Sequence, residues 1–337
     1  MATFPSHYSL IILFISINLF TLTSSTNSTT DQDALLNFKN FIKSSNPNST
    51  FITSWSPNTP LCNWTGVSCS ATHHRVTALN LSNLALRGSL APHLGNLTFL
   101  LSLDVSSNNF TGALPSELSK LRHLKALNVG SNDLAGEIPP AFGALSQLRQ
   151  LLLGNNRFAG RIPHIFNNMS LLVEIDMSVN DLSGSLPDDI CGGDAAELRR
   201  IDFSKNRLSG EIPARMYKCV KLERLSLSVN GFSGKIATGI GNLTMLRFLS
   251  IYSNNLEGLP SSIFNISSLE YVDLVNNSLS GSMPVFYNSP NLKELYLNDN
   301  NFTGSIPEEI GSLTSLKILV LSNNDLTGNI SMLAQCI

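Results

Sequence analysis

Chemistry in this 337-residue chain would have to begin with its six histidines, its five cysteines or its carboxylates. General acid–base work needs titratable groups held together in a cleft, and a hydrolytic metal needs His, Cys, Asp or Glu at fixed spacings. The histidines are scattered, and only His73 and His74 adjoin, where neighbouring side chains diverge. No His, Cys or carboxylate group recurs with metal-ligand spacing, and no serine stands in a nucleophile elbow, so no catalytic residue, metal or cofactor is expected. Asp104, Asp176, Asp202 and Asp273 fall at equivalent places in a repeat, yet on an open surface nothing would shift their pKa values. The sequence contains no kinase glycine loop and no HRD or DFG triplet. It reads as a non-enzyme.

The elements that carry these residues follow from composition and spacing. Twenty-two Lys and Arg against 24 Asp and Glu leave a net charge of −2, which excludes bulk attraction to nucleic acid or anionic membrane. Charged residues make up 14% of the chain, against about 25% in an average soluble protein, and 36 asparagines supply much of the missing polarity. Ten of them set a frame: Asn108, Asn132, Asn156, Asn180, Asn206, Asn230, Asn254, Asn277, Asn300 and Asn324. A glycine follows each by four residues, from Gly112 to Gly328, and an earlier unit shares the frame with Leu84 in the asparagine's place. That makes about eleven units over residues 76–337. In one of them, Leu127-x-Val129 alternates as a short half-buried strand, and Leu134, Ile138, Phe142, Leu145 and Leu148 turn inward on the return path. No unit can cover its own apolar face, so neighbours must stack, and the asparagine amide is placed to bond backbone groups where the chain leaves the strand.

The pattern resembles a leucine-rich repeat solenoid of the α/β class, in which parallel strands are expected to line a concave face. The NxLxGxIP form of residues 76–337 resembles the plant-type repeat of receptor-like kinases and receptor-like proteins. Ahead of it, residues 26–75 hold a helical pattern from Asp31 to Lys43, for which Thr30 can serve as N-cap, then Trp55 and Cys62-Asn-Trp64-Thr-Gly66-Val-Ser-Cys69. That segment resembles the N-terminal cap of the same family, which implies a Cys62–Cys69 disulfide. Cys191 and Cys219 lie in successive repeats. Each reads either as a small buried hydrophobe or, beside the longer 26-residue spacing and insert at 191–198, as half of the bridge with which this family staples adjacent repeats. Cys336 is left without a partner. At the start, Leu10–Leu22 is an apolar run of 13 residues followed by Thr23, Ser24, Ser25 and Thr26. That length suits a cleaved secretory leader at 1–25 rather than a spanning helix, and the mature chain is expected in the apoplast without a membrane segment. The chain stops inside its eleventh unit, so it reads as a fragment of a longer receptor, at the cell surface, or as a truncated secreted form.

Twelve Asn-x-Ser/Thr sequons occur, and Asn96, Asn168, Asn242 and Asn265, on the convex return path, are the better glycan candidates. Function is expected on the concave face, where variable positions form columns. Early units are small and polar there; from the fifth on come Glu174, Asp176, Arg200, Asp202, Lys205, Arg224, Phe248, Tyr252, Tyr271, Asp273 and Tyr296. Aromatics flanked by arginine anchor interfaces, so these residues are expected to hold a peptide or protein ligand. The phrase from Gly88 to Leu100 resembles the immune-receptor subfamily, which implies a defence or signalling role and a co-receptor kinase ectodomain as second partner. The alternatives are a secreted inhibitor similar to polygalacturonase-inhibiting proteins, whose paired C-terminal and additional cap cysteines this chain lacks, or a decoy fragment that competes for ligand.

Overall fold

The structure, a computed structural model, describes residues 29–44, 53–192, 197–286 and 288–328. The leader at 1–25, residues 193–196 of the insert and Cys336 fall outside the described residues. Each unit gives one short strand to a long sheet, because alternation sends one side chain inward and its neighbours outward. Ala126–Asn128 buries Leu127 completely between two half-buried residues. Eleven such strands, from Val76–Asn80 to Ile318–Val320, pair in parallel with the inward residues in register, Leu79 on Leu103 and Leu103 on Leu127. The cap strand Val67–Cys69 joins antiparallel to Val76–Asn80 and makes the twelfth.

A second line of strands was not anticipated. Where the sequence suggested only a bend around the recurring glycine, Asn109–Gly112, Asp133–Gly136 and their successors pair in parallel, and the cap strand Ile42–Ser44 closes that edge antiparallel to Leu86–Gly88. Gly88 shows why the position excludes side chains. Its φ is +122°, and a Cβ there would meet the Phe41 carbonyl oxygen at 1.8 Å. The return path then runs through single 3-10 turns such as Ser116–Lys120, Pro140–Ala144 and Thr238–Asn242. It carries Ile138, Phe142, Leu145 and Leu148 inward at 1% exposure or less, so successive units share one continuous core.

The framing asparagines bond both within and between coils. Asn180 Nδ2 donates to the carbonyls of Leu153 (3.2 Å), Met177 (3.2 Å) and Ser178 (3.0 Å), while its Oδ1 accepts the Phe158 N–H at 2.9 Å. Asn108 serves the first unit, which has Leu84 in place of its own asparagine, by accepting from the N–H groups of Leu84 and Leu86. At the N-terminal end a helix over 29–41 covers the core with Leu35 and Phe38, and Trp55 stacks on Trp64 at 5.4 Å. Thr30, expected as its N-cap, lies within the helix. Asp31 is a buried tie: it takes Arg75 Nε at 2.9 Å, Nη2 at 2.7 Å and the Val76 N–H at 2.9 Å. Cys62 bonds Cys69 and Cys191 bonds Cys219, with Cα atoms 5.6 and 5.5 Å apart.

Candidate functional site

Strand register assembles the surface. Pairing sets Glu174 beside Arg200, Arg200 beside Arg224, Arg224 beside Phe248, Phe248 beside Tyr271 and Tyr271 beside Glu294. Neighbouring strands lie about 4.8 Å apart, so flat groups in one column must stack. The Arg224 guanidinium lies 3.6 Å over the Phe248 ring, Phe248 and Tyr271 are 4.5 Å apart at 5°, and Tyr296 leans on Tyr271 at 5.7 Å. Ring contacts leave Phe248, Tyr271 and Tyr296 half-buried, and Tyr252 is half-buried as well, where the sequence suggested exposed rings. Glu174 joins the patch through Gln150 at 3.1 Å and Arg200 at 3.6 Å. Lys205, expected near the arginine column, occupies the turn after the strand, with φ +55°.

Two of the aspartates, Asp176 and Asp273, overturn the expectation of unshifted, solvated carboxylates. Asp104, Asp176, Asp202 and Asp273 each accept the N–H two residues on, from Ser106, Ser178, Ser204 and Val275, as Asn80 and Asn128 do in earlier units. They close the strand ends as Asx turns. Asp176 and Asp273 are half-buried, and loss of water raises their carboxyls above the usual aspartate range even though these hydrogen bonds oppose it. Burial raises the Tyr271 phenol as well, and Tyr296 is raised chiefly by its hydrogen bond to Glu294 Oε2 at 2.9 Å. Both phenols are therefore neutral donors at physiological pH.

Two groups escaped the sequence reading. One column earlier on the same strands, Arg199 pairs with Glu223, and Glu270 takes both Lys293, at 2.6 Å, and Arg247. Lys293 and then Arg247 hold the Glu270 carboxyl below its ordinary value. The early units are also not uniformly polar: Phe99 and Leu101 are exposed, with Arg75 4.6 Å over the Phe99 ring and His73 4.7 Å from it. A shallow hollow opens at Gly130, Leu152, Gly154, Asp176 and Ser178, where a Cβ on Gly154 would come within 2.7 Å of the Asp176 carboxylate. On the return path, Asn96, Asn168, Asn242 and Asn265 are all exposed, each as the last residue of a 3-10 turn.

A further grouping corrects the expectation of no metal-ligand cluster. His164, Asp188 and Asp189 bring one donor atom each within 4.8 Å of one another. The signal was present: His164 and Asp188 are 24 residues apart, one repeat, so stacking must superpose them although no linear metal spacing exists.

Family profiles match the chain along the same frame. The leucine rich repeat N-terminal domain matches residues 28–70, the leucine rich repeat matches 99–121, 123–145, 147–169, 197–219 and 221–243, and its two-copy form matches 290–335. The chain belongs to the leucine-rich repeat proteins. This leucine-rich repeat chain is 44% identical over 81 residues to a putative receptor-like protein kinase of Arabidopsis thaliana, covering 24% of this chain and 8% of that relative. The crystal structure of PEPR1–AtPEP1 superposes with a TM-score of 0.80 at 29% identity, over 91% of this chain and 47% of that one. The Arabidopsis receptor kinase HAESA, in complex with the peptide hormone IDA and the co-receptor SERK1, gives 0.74 at 30% identity, over 88% and 54%. The repeat chain thus spans about half of these ectodomains and under a tenth of the kinase relative. Among the described residues, no helix is long and apolar enough to cross a membrane.

Proposed function

We propose that this leucine-rich repeat chain is an extracellular recognition domain of receptor type that binds an extended peptide across its concave face. The observation that carries the reading is the stack Arg224–Phe248–Tyr271, with Tyr296 tilted against it from the neighbouring column, which together offer flat apolar surface, a guanidinium and two phenol oxygens whose protons go to Asp273 and Glu294. From the hollow at Leu152 to Tyr296 the line crosses seven neighbouring strands. Six steps of about 4.8 Å make about 29 Å, the length of an extended peptide of about nine residues. The receptor ectodomains of similar fold, one solved with a peptide hormone and a co-receptor, support this class of ligand and a second, co-receptor partner. A role in defence in the apoplast rests on the resemblance of residues 88–100 to immune receptors.

The test is capture from plant and pathogen apoplastic peptide fractions by the immobilised chain. Tyr271→Ala and Arg224→Ala are expected to weaken a captured peptide at least about tenfold, as loss of an interface anchor does. Arg157→Ala, whose side chain lies on the other line of strands, is expected to leave it unchanged. Full affinity in both concave variants would exclude this patch.

A further inference from the structure

His164 leaves the strand Arg157–Arg161 three residues after its end, and Asp188 and Asp189 reach the same level one coil later. His164 Nδ1 lies 3.6 Å from Asp188 Oδ1 and 3.4 Å from Asp189 Oδ1. The three side chains differ in setting: His164 and Asp188 are 68% and 62% exposed, whereas Asp189 is 2% exposed. Asp189 Oδ2 accepts the N–H groups of Phe166 at 2.9 Å and Asn167 at 3.3 Å, which fixes the carboxylate. Among the described residues its Oδ1, buried, has no hydrogen-bond partner, and it faces the imidazole at ion-pair distance but without hydrogen-bond geometry. A buried carboxylate oxygen with no donor is costly unless positive charge fills the gap. Asp188 Oδ2 has Arg215 Nη1 at 3.8 Å, which leaves Oδ1 turned toward the histidine.

We propose that His164, Asp188 and Asp189 form a binding site for a zinc-type divalent cation that clasps two successive repeats beside the Cys191–Cys219 bond. Tetrahedral coordination with bonds of about 2.0–2.2 Å sets ligand atoms about 3.4 Å apart. The two His–Asp separations, 3.4 and 3.6 Å, match that edge, and all three donor atoms lie within 4.8 Å of one another. One imidazole nitrogen with two carboxylates suits a first-row divalent ion. Calcium asks for six to eight oxygens, and magnesium for an octahedron of oxygens. The backbone amides of Phe166 and Asn167 act as the outer partners that orient Asp189, and Arg215 does the same for Asp188. His164 and Asp188 also line a hollow with Arg161, Ile162, Pro163, Ser185, Leu186 and Pro187, from which a water would complete the shell.

The experiment titrates zinc chloride into the chelator-treated chain at pH 7.5 by calorimetry and follows the thermal midpoint in parallel. One ion per chain and a raised midpoint are expected. His164→Ala and Asp188→Asn, both at exposed positions, are expected to cut affinity by at least the roughly 10–100-fold that loss of an outer-shell partner costs. His73→Ala/His74→Ala is expected to bind as the parent does. Absence of saturable binding would leave only a polar contact between His164 and the two carboxylates, and the proposal would fail. Binding that survives His164→Ala would overturn it equally.

Discussion

The amide of Asn180 donates to three carbonyls and accepts one N–H from the preceding coil, all at 9% residue exposure. Only a side chain that is donor and acceptor together can do this, so neither the isosteric Asp nor the similarly sized Leu can substitute. Asn180→Asp strips the donors from three backbone carbonyls and buries a charge among them, and it is expected to cost about 3 kcal/mol or more. Urea denaturation at pH 7 would read this; an unchanged midpoint would show that the ladder is dispensable at that coil. Asp176 is the opposite case. Burial raises its folded-state carboxyl above the ordinary 3.8, so the folded chain holds the proton more tightly than the unfolded chain. This group therefore favours folding most fully below its unfolded value, and that contribution is lost as pH rises through the raised folded value. Asp176→Asn keeps an acceptor for the Ser178 N–H, as Asn128 does for Gly130. It is expected to be more stable than the parent at pH 7, with the difference closing below pH 3.8, the ordinary value, in denaturation curves across pH.

At the scale of elements, legibility in the sequence depends on whether an element's signal is its own. The strands of the long sheet announce themselves because Leu127 and Val129 alternate with polar neighbours and burial enforces the alternation. The second line of strands is silent. Asn109–Gly112 sets one buried residue, Phe110, between two polar ones and a glycine, too short a run to read as alternation, and it is a strand because the backbone of the next coil lies beside it. The cap helix is legible by its apolar spacing, but its fastening is not, since Asp31 and Arg75 are 44 residues apart and lie outside the repeat frame. That fastening holds the helix to the first strand through a buried bidentate pair. Asp31→Ala leaves the Arg75 guanidinium buried and uncompensated, at a cost of about 3–5 kcal/mol. Asp31→Ala with Arg75→Leu is expected to recover much of that loss, because an apolar pair avoids the uncompensated charge. A double variant no more stable than the single one would assign the effect to the Val76 N–H bond instead.

At the scale of the whole molecule, the frame decides which columns exist and the variable residues decide what they can hold. Frame arithmetic was enough to bring Phe248 to Tyr271 and Arg200 to Arg224, and it would equally have brought His164 to Asp188. It could not reveal that Asp189 would be buried with one oxygen unpartnered, which depends on packing against Phe166 and Asn167. The same nearest-neighbour logic makes a prediction about the entire chain. Hydrogen bonds of the ladder and the paired strands reach one coil in either direction, so each coil needs any correctly shaped neighbour rather than a particular one. Deleting residues 133–156 joins Asn132 to Arg157 and removes one full period between equivalent asparagines. Such a chain is expected to fold cooperatively, form both disulfides and retain zinc binding, with a lower thermal midpoint because one interface is gone. Deleting residues 133–144 instead removes half a period. It brings the return path of one coil against the strand of the next, and a soluble cooperative fold is not expected. Circular dichroism melts of the two deletions would compare them directly, and equal behaviour would mean that the coils are not the units of stability.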